Sequence, residues 1–302
     1  TEIGESYQDS GWLFKFITFR ATENLLERSK RTEKVQKIHI VQESRESLTN
    51  IMDADAAWST VSDFTESTAV IVKHTNPCGI AVHPNQTTAY RLAFEGDSVS
   101  AYGGIVGFNR IVSGDTAKEM KGVLFHIIVA PDYENGALEF LKKRKQIRII
   151  KVAADDGPLR SLDVKNVSGG ILLQTSDVLD ENPASWEVVT EHQPSDKQMC
   201  DLAFAWKVAK HIKSNTIVLA KDNAMVGMGA GQPNRVTSVH LALRIAGVKA
   251  KGSVLASDAF MPFTDNVELA AEGGVTSVVQ PGGSLRDKDV IDAANRLGIS
   301  MV

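Results

Sequence analysis

Residues 69–79 read AVIVKHTNPCG, an apolar run that ends in a lysine–histidine pair followed by a turn signal. The apolar residues predict a buried strand, and the Asn-Pro-Cys-Gly sequence at 76–79 predicts a sharp turn after it. In an open α/β sheet, ligands bind at the carboxyl ends of the strands. Lys73 and His74 can supply a fixed positive charge and a base at such a site. Purely structural roles fit the same pattern equally well.

Short apolar strands alternate with amphipathic helices from residue 68 onward. The predicted strands are 68–73, 104–108, 126–130, 147–152, 167–174, 216–221, 224–228, 253–257 and 276–280. The predicted helices are 87–95, 115–120, 135–144, a segment opened by a Ser195-x-x-Gln198 capping box, 236–246, 266–272 and 288–297. This alternation predicts an α/β fold with a mixed, largely parallel sheet.

The predicted domain organisation is two α/β units, residues 1–160 and 161–302. A polar connector at 153–163, which contains Gly157-Pro158, separates them. Residues 1–50 are poorly defined, although 21–37 is compatible with a helix. No sequence repeat is evident between the two units.

Composition and charge restrict the function classes. Of the 302 residues 43% are hydrophobic and 23% charged, which is typical of a soluble globular protein, and the net charge of -4 gives no basic footprint for nucleic acid. No apolar run is long enough to span a membrane, and no signal peptide is evident, so a cytoplasmic location is expected. Two cysteines are too few for a disulfide framework or a cysteine metal site.

Three further motifs each allow a functional and a structural interpretation. Cys78 is either a nucleophile or, more in keeping with a tight turn, a small buried thiol. The segment GMGAGQPNR at 227–235 precedes a helix and is either an anion-binding loop or ordinary turn chemistry. Phe260 and Phe263 either clamp a flat heterocycle or belong to the core, and Asp265 either faces that ligand or caps the following helix.

Taken together, motifs along residues 50–302 resemble one family, the transformylase part of the bifunctional AICAR transformylase/IMP cyclohydrolase proteins of purine biosynthesis. The motifs are VKHTNPCG at 72–79, SAYGG at 100–104, VAPDY at 129–133, VSGG at 167–170, KSN at 213–215, GAGQ at 229–232 and SDAF at 257–260. Each motif alone is weak, but their order as a set is highly specific.

The resemblance implies two cytidine-deaminase-like α/β units and a homodimer with active sites at its interface. It implies transfer of a formyl group from 10-formyltetrahydrofolate to the 5-amino group of AICAR (5-aminoimidazole-4-carboxamide ribonucleotide), which gives FAICAR and tetrahydrofolate on the route to IMP. Potassium binding is implied without assigned ligands. Zinc is not implied, because the deaminase zinc signature is missing from this sequence.

The resemblance also assigns the site residues. His74 is the base that takes a proton from the aromatic amine, and Lys73 stabilises the oxyanion or protonates the leaving folate nitrogen. The residues expected to bind AICAR are Gly103, His126, Asn215, Arg235 and Phe260. The residues expected on the folate side are Val236, Asp265, Ser284 and Leu285.

Departures from the family pattern favour an alternative. Where the family has Arg-Tyr-Gly-Glu-Asn-Pro-His-Gln, residues 2–8 read EIGESYQ, so the substrate-binding Arg-Tyr pair is missing. His126 stands in place of an acidic residue, and the family's Arg-containing tail and cyclohydrolase domain are absent from these residues. Cyclohydrolase activity is therefore not expected. The alternative is a diverged or truncated homologue that acts as a binding or regulatory module, and a third hypothesis is an amidohydrolase that uses Cys78.

Overall fold

A computed structural model describes residues 49–152, 163–177 and 182–302 with their side chains, together with the backbone of residues 48 and 162 and of three short strands before them. The helix-compatible stretch 21–37 lies outside the described residues, as does most of the predicted connector at 153–163. Of the EIGESYQ segment, only the backbone of Ile3–Glu5 is described.

Strands and helices alternate along the described chain. The strands are β1 Ile3–Glu5, β2 Lys15–Ile17, β3 Ile38–Ile40, β4 Thr68–Lys73, β5 Asn76–Val82, β6 Gly104–Phe108, β7 Phe125–Ala130, β8 Arg148–Val152, β9 Leu162–Val167, β10 Gly170–Thr175, β11 Ile217–Lys221, β12 Ala224–Gly229, β13 Val254–Ser257, β14 Ser277–Val279 and β15 Ser300–Met301. The α-helices are α1 Leu48–Ser62, α2 Gln86–Gly96, α3 Ser98–Ala101, α4 Gly114–Glu119, α5 Asn135–Lys142, α6 Asp196–Ala209, α7 Arg235–Ala246, α8 Asp265–Glu272 and α9 Asp287–Leu297. None of these helices is long and apolar enough to cross a membrane.

The chain divides into two compact units, of which the smaller comprises residues 1–37 and 154–181. Its described strands form an antiparallel sheet in the order β1-β2-β10-β9. The single strand predicted at 167–174 is wrong, because the chain reverses between β9 and β10. Gly169, with φ of 86°, supplies the left-handed residue for that reversal.

The larger unit, residues 38–153 and 182–302, is built on a mixed sheet whose described strands follow the order β15-β14-β13-β11-β12-β5-β4-β6-β7-β8-β3. Parallel pairs join β6, β7 and β8 on one flank and β13, β14 and β15 on the other. The centre is antiparallel because the hairpins β4–β5 and β11–β12 meet there. The predicted α/β class is confirmed, and the parallel part of the sheet occupies its two flanks.

One topology is repeated in the two halves of this unit. The order α1-β4-β5-α2-β6-α4-β7-α5-β8 matches α6-β11-β12-α7-β13-α8-β14-α9-β15, and the halves meet where Ala81 of β5 pairs with Ala224 of β12. A faint sequence repeat accompanies it, contrary to our expectation. DADAAW at 53–58 matches DLAFAW at 201–206, and TAVIVK at 68–73 matches TIVLAK at 216–221, with the same offset of 148 residues (201 minus 53, 216 minus 68).

The sheet carries one shared core on one face and two separate cores on the other. Val70 and Val72 of β4 point into the shared core with residues of α1 and α6, whereas Ala69 and Ile71 point to the opposite face. The rings of Phe64 and Phe204 lie 5.7 Å apart in the shared core. Helices α1 and α6 therefore cover the same face of the sheet.

A charged cluster joins the carboxyl ends of α1 and α6. Asp63 Oδ2 lies 2.7 Å from His211 Nε2 and 2.9 Å from Lys210 Nζ. Burial raises the pKa of the Asp63 carboxyl, but the interactions with His211 and Lys210 outweigh burial, so this pKa is lower than its ordinary value. The cluster anchors the chain just before residues 213–215, which belong to the candidate site.

Candidate functional site

The turn between β4 and β5 consists of His74 and Thr75. The prediction of a turn at 76–79 is wrong, since Asn76–Val82 is strand β5 and pairs with β4 through a bulge. A two-residue hairpin turn of this type needs positive φ at both positions, and His74 (55°) and Thr75 (60°) adopt it. The left-handed conformation costs a non-glycine residue about 1–2 kcal/mol, so this turn requires support from its surroundings.

A buried carboxylate of α1 supplies that support. Asp53 is 3% exposed, and it accepts hydrogen bonds from the backbone N–H of His74 at 3.1 Å and of Thr75 at 2.6 Å. Hydrogen bonds to charged groups contribute about 1.5–3 kcal/mol each, which is enough to offset the conformational cost. Sequence reasoning missed Asp53. The signal that could have found it is the D-x-x-x-A-W repeat, which places Asp201 at the equivalent position.

Lys73, Gly103 and His126 lie beside this turn. Lys73 Nζ donates a hydrogen bond to the Tyr102 carbonyl oxygen at 2.8 Å. The next residue, Gly103, has φ of 75°, and a Cβ placed there would lie 3.7 Å from Cε1 of His126. Because β6 and β7 begin at the edge of the sheet where β4 ends, these residues form one group around the exposed His74.

A second group surrounds the buried guanidinium of Arg235, which is 7% exposed. Arg235 Nη2 donates to Asn215 Oδ1 at 2.6 Å, and Nη1 donates to Asp258 Oδ1 at 2.5 Å and to Ser257 Oγ at 2.9 Å. Asn215 Nδ2 in turn donates to the Gln232 carbonyl at 2.7 Å. The guanidinium therefore fixes the orientation of the Asn215 side chain.

A cleft of about 450 Å³ opens beside the second group, and its walls include Asn215, Arg235, Phe260, Phe263 and Asp265. This volume is in the range of small-molecule sites. Phe260 is 42% exposed and Phe263 52%, so neither ring is a core residue. Asp265 is the first residue of α8 rather than its cap. It lines the cleft, and its Oδ1 accepts a hydrogen bond from the Asn266 amide at 2.8 Å.

The remaining predicted residues do not line this cleft. Val236 follows Arg235 in the first turn of α7, and Ser284 donates its backbone N–H to Asp287 at the start of α9. Leu285 is fully exposed. The Lys73-His74 pair also lies outside the cleft walls.

Asn76 connects the two groups of site residues. Its Oδ1 accepts a hydrogen bond from the Lys213 backbone N–H at 3.2 Å, two residues before Asn215. The antiparallel pairing of β5 with β12 puts the β4–β5 turn and the start of β11 at the same edge of the sheet. Both groups therefore face one edge of the larger unit.

The glycine-rich segment at 227–235 serves helix packing. A Cβ on Gly227 would lie 2.3 Å from the Ala242 carbonyl oxygen, and one on Gly229 would lie 2.0 Å from that of Ser238. Both glycines lie in β12, so they allow α7 to rest directly on that strand. Asn234 then caps α7 by accepting from the Val236 N–H. Neither of the two interpretations offered from sequence had anticipated this packing role.

Cys78 is a poor candidate nucleophile. It lies in β5, its thiol donates to the Ile71 carbonyl at 3.4 Å, and burial raises its pKa to about 12. A thiol is reactive only as the thiolate, so at neutral pH this group is inert.

We expect iodoacetamide at about pH 8 to alkylate the exposed Cys200 but not Cys78. Peptide mass spectrometry checks this, with urea-unfolded protein as the control that exposes both thiols. Fast native labelling of Cys78 would revive the amidohydrolase hypothesis.

Replacing Thr75 with asparagine should stabilise the protein. Asparagine tolerates the left-handed region better than threonine, and Asn223 occupies the equivalent turn position with φ of 54°. We expect the free energy of unfolding to rise by up to about 1 kcal/mol, measured by urea denaturation. Thr237→Asn, at an exposed helical position, is the control and should be nearly neutral. A lower stability of Thr75→Asn would contradict the assigned turn conformation.

The fold and the site together define a mixed α/β protein in which an aromatic cleft and a lysine–histidine turn share one edge of an internally repeated sheet. The family model described as AICARFT/IMPCHase bienzyme matches residues 21–245. The chain belongs to this family, as its motifs predicted.

Curated relatives agree with this assignment. The chain is similar to the bifunctional purine biosynthesis protein purH of Dictyostelium discoideum, with 49% identity over 266 residues that cover 85% of this chain and 49% of the relative. It is similar to the bifunctional purine biosynthesis protein PurH of Thermoanaerobacter sp. (strain X514), 50% identical over 256 residues, which cover 85% and 50% of the two chains. The PurH protein of Nostoc punctiforme is 49% identical over 258 residues, with the same coverage. The chain spans about half the length of the curated relatives it matches.

Proposed function

We propose that this chain carries out formyl transfer from 10-formyltetrahydrofolate to the 5-amino group of AICAR, in purine biosynthesis. One observation carries the proposal: a supported Lys73-His74 turn and an Arg235-backed aromatic cleft face the same edge of the sheet in a member of this family. AICAR offers an amine and a flat heterocycle, which these two features suit.

His74 and Lys73 would perform the chemistry. The amine nitrogen attacks the formyl carbon, and His74 takes the proton that the nitrogen loses, because an aromatic amine is a poor nucleophile. The carbonyl oxygen becomes an oxyanion beside Lys73. One N–H of the Lys73 ammonium is already donated to Tyr102, which leaves two donors for the oxyanion or for the folate nitrogen. Collapse of the tetrahedral intermediate then breaks the bond between the formyl carbon and the folate nitrogen. That nitrogen leaves with a proton from the Lys73 ammonium, and the proton that His74 took restores the balance.

The cleft would hold the planar parts of the substrates. Phe260 can stack on a heterocycle, and the fixed Asn215 amide can present a hydrogen-bonding edge to it. Gly103 and His126 would complete the AICAR side beside His74. Asp265 on the cleft wall, with Val236, Ser284 and Leu285 near the starts of α7 and α9, would form the folate side.

We extend the proposal to a cytoplasmic homodimer with potassium as an activating ion and two deaminase-like units divided near residue 160. The exposed apolar side chains Val99, Tyr102 and Leu285 near this sheet edge suit coverage by a second subunit. The repeated topology of the two halves supports two related α/β units, although residues 154–181 belong to the smaller unit. Among the described residues, no cluster of three or more His, Cys, Asp or Glu side chains is arranged to hold a metal ion.

The test is a turnover assay with AICAR, 10-formyltetrahydrofolate and potassium chloride, in which tetrahydrofolate release is followed. We expect multiple turnovers, with a lower rate when sodium replaces potassium. The alternative, a non-catalytic binding module, is favoured by the missing Arg-Tyr pair in residues 2–8. Calorimetric binding of AICAR without any turnover would establish that alternative and refute the proposed activity.

A further inference from the structure

Both repeats of the larger unit close their first hairpin against a buried aspartate. Asp201 of α6 is 4% exposed and accepts from the Asn223 N–H at 2.7 Å, just as Asp53 of α1 accepts from the β4–β5 turn. The second turn is also left-handed, with φ of 54° at Asp222 and at Asn223. We call this arrangement, a buried aspartate that accepts hydrogen bonds from the backbone of a left-handed hairpin turn, a clamp. The described residues contain two copies of it, at Asp53 and at Asp201.

The lysine that precedes each turn is also common to both copies. Lys73 Nζ donates to the Tyr102 carbonyl, and Lys221 Nζ donates to the Lys251 carbonyl at 3.0 Å. Each acceptor precedes a left-handed glycine, Gly103 or Gly252. The lysine and its anchor thus belong to the shared scaffold, and the chemical difference between the copies lies in the turn itself.

The turn residues differ in how well they suit their conformation. Asp222 and Asn223 are residue types that enter the left-handed region readily, because a short polar side chain can bond locally. Histidine also occurs there, but Thr75 is not suited to the left-handed region, because threonine is β-branched. The first clamp makes two hydrogen bonds to consecutive amides, whereas the second makes one to Asn223. The less favourable turn has the stronger clamp.

We propose that Asp53 is a positioning residue for His74. Its two carboxylate oxygens fix the backbone of His74 and Thr75, and this sets the direction in which the His74 imidazole leaves the turn towards the substrate amine. The inference rests on the proposed function for the role of His74. The clamp does not depend on the proposed function, because it consists of the two hydrogen bonds that Asp53 accepts from the backbone of His74 and Thr75.

The test compares Asp53→Asn with Asp201→Asn, two isosteric changes at equivalent positions. Each replaces a carboxylate by an amide of the same shape. In Asp53→Asn the new NH2 group faces a backbone N–H from which it cannot accept a hydrogen bond, because both carboxylate oxygens were acceptors. In Asp201→Asn the remaining oxygen can still accept from the Asn223 N–H. We expect kcat for formyl transfer to fall on the order of 100-fold in Asp53→Asn, with the KM for AICAR little changed, because small misplacements of reacting groups carry losses of this size. Asp201→Asn should keep nearly normal kcat. Equal kcat losses in both variants would reduce Asp53 to a general structural role and overturn the inference.

Amide hydrogen exchange separates this inference from the proposed function. The amides of His74 and Thr75 should exchange faster in Asp53→Asn than in the unmodified protein, and Asp201→Asn should leave them unchanged. Hydrogen exchange can be measured without turnover. If the protein had no formyltransferase activity, the proposed function would be refuted, and the exchange rates would still test whether Asp53 holds the turn. Unaltered exchange at both amides in Asp53→Asn would overturn the clamp.

A second variant covers the case in which Asp53→Asn fails to fold. Glycine adopts the left-handed conformation without steric cost, so Thr75→Gly should lower the demand on the clamp. We expect the double variant Asp53→Asn/Thr75→Gly to fold and to show kcat still well below that of Thr75→Gly alone. Identical kcat values for the double variant and for Thr75→Gly would overturn the positioning role.

Discussion

Replacing His74 with alanine should lower kcat for formyl transfer by about 10²–10⁴-fold, the usual contribution of a general base. The imidazole is exposed at the hairpin turn, and its backbone is held by Asp53, so truncation removes the base without disturbing a packed core. The KM for AICAR should change much less than kcat, because the cleft around Asn215 and Phe260 is untouched. Steady-state kinetics with varied AICAR measures both constants.

The control for this prediction is His240→Ala. His240 is exposed on α7 and away from the cleft walls, so its removal should leave both constants close to those of the unmodified protein. If His74→Ala retained most of its kcat, His74 would not be the base, and the site would need another proton acceptor. Equal losses in the two variants would point to a general effect of removing a histidine.

Replacing Arg235 with glutamine should lower the free energy of unfolding by about 3–5 kcal/mol, the usual cost of leaving a buried charge without its partner. Arg235 is 7% exposed, and its loss leaves the Asp258 carboxylate without its charged partner and Asn215 Oδ1 without its donor. Asp258 then keeps only the hydrogen bond from the Thr216 N–H among its described ones. Urea denaturation measures the loss of stability, and calorimetry should show weaker AICAR binding because Asn215 is no longer held.

The matched control is Arg296→Gln, which breaks the exposed pair with Glu268 at 3.4 Å. Exposed pairs contribute about 0–1 kcal/mol, so this variant should be nearly as stable as the parent protein. A further variant, Arg235→Gln/Asp258→Asn, removes the stranded charge and should regain part of the lost stability. Similar small losses in Arg235→Gln and Arg296→Gln would show that the guanidinium network is not a structural anchor.

Most strands and helices were predictable because their periodicity is strong. The predicted strands at 68–73 and 104–108 match β4 and β6 at both ends. The capping box at Ser195 is also confirmed, with the Gln198 N–H bonded to Ser195 and the Gln198 side chain bonded back to it. These elements carry local signals, so no distant residue is needed to specify them.

Elements whose signals conflict with their structure were missed. Helix α1 buries Ala54 and Ala57, which give a weak apolar stripe, and it buries the charged Asp53 as well. Strand β5 contains Pro77, which reads as a breaker, yet a bulge beside Val72 accommodates it in the sheet. In both cases the tertiary partner decides the conformation.

The site shows the same limit. His74, Asn215 and Arg235 were predicted through the order of their motifs, because motif order survives in the linear sequence. The roles of Asp53 and Asn76 could not be predicted in this way. Asp53 acts on a turn 21 residues away and Asn76 on Lys213, 137 residues away, and neither separation follows from a local pattern.

The two glycines of β12 that contact α7, Gly227 and Gly229, limit how this chain can vary during evolution. Any side chain at Gly227 or Gly229 would push α7 away from the sheet. Since α7 begins at Arg235, that displacement would pull the guanidinium from Asn215 and Asp258 and deform the cleft. We therefore expect functional relatives to keep both glycines as strictly as they keep residues that touch a substrate. Invariance at these two positions would reflect the close distance between α7 and β12, and it would not mean that either glycine takes part in the reaction.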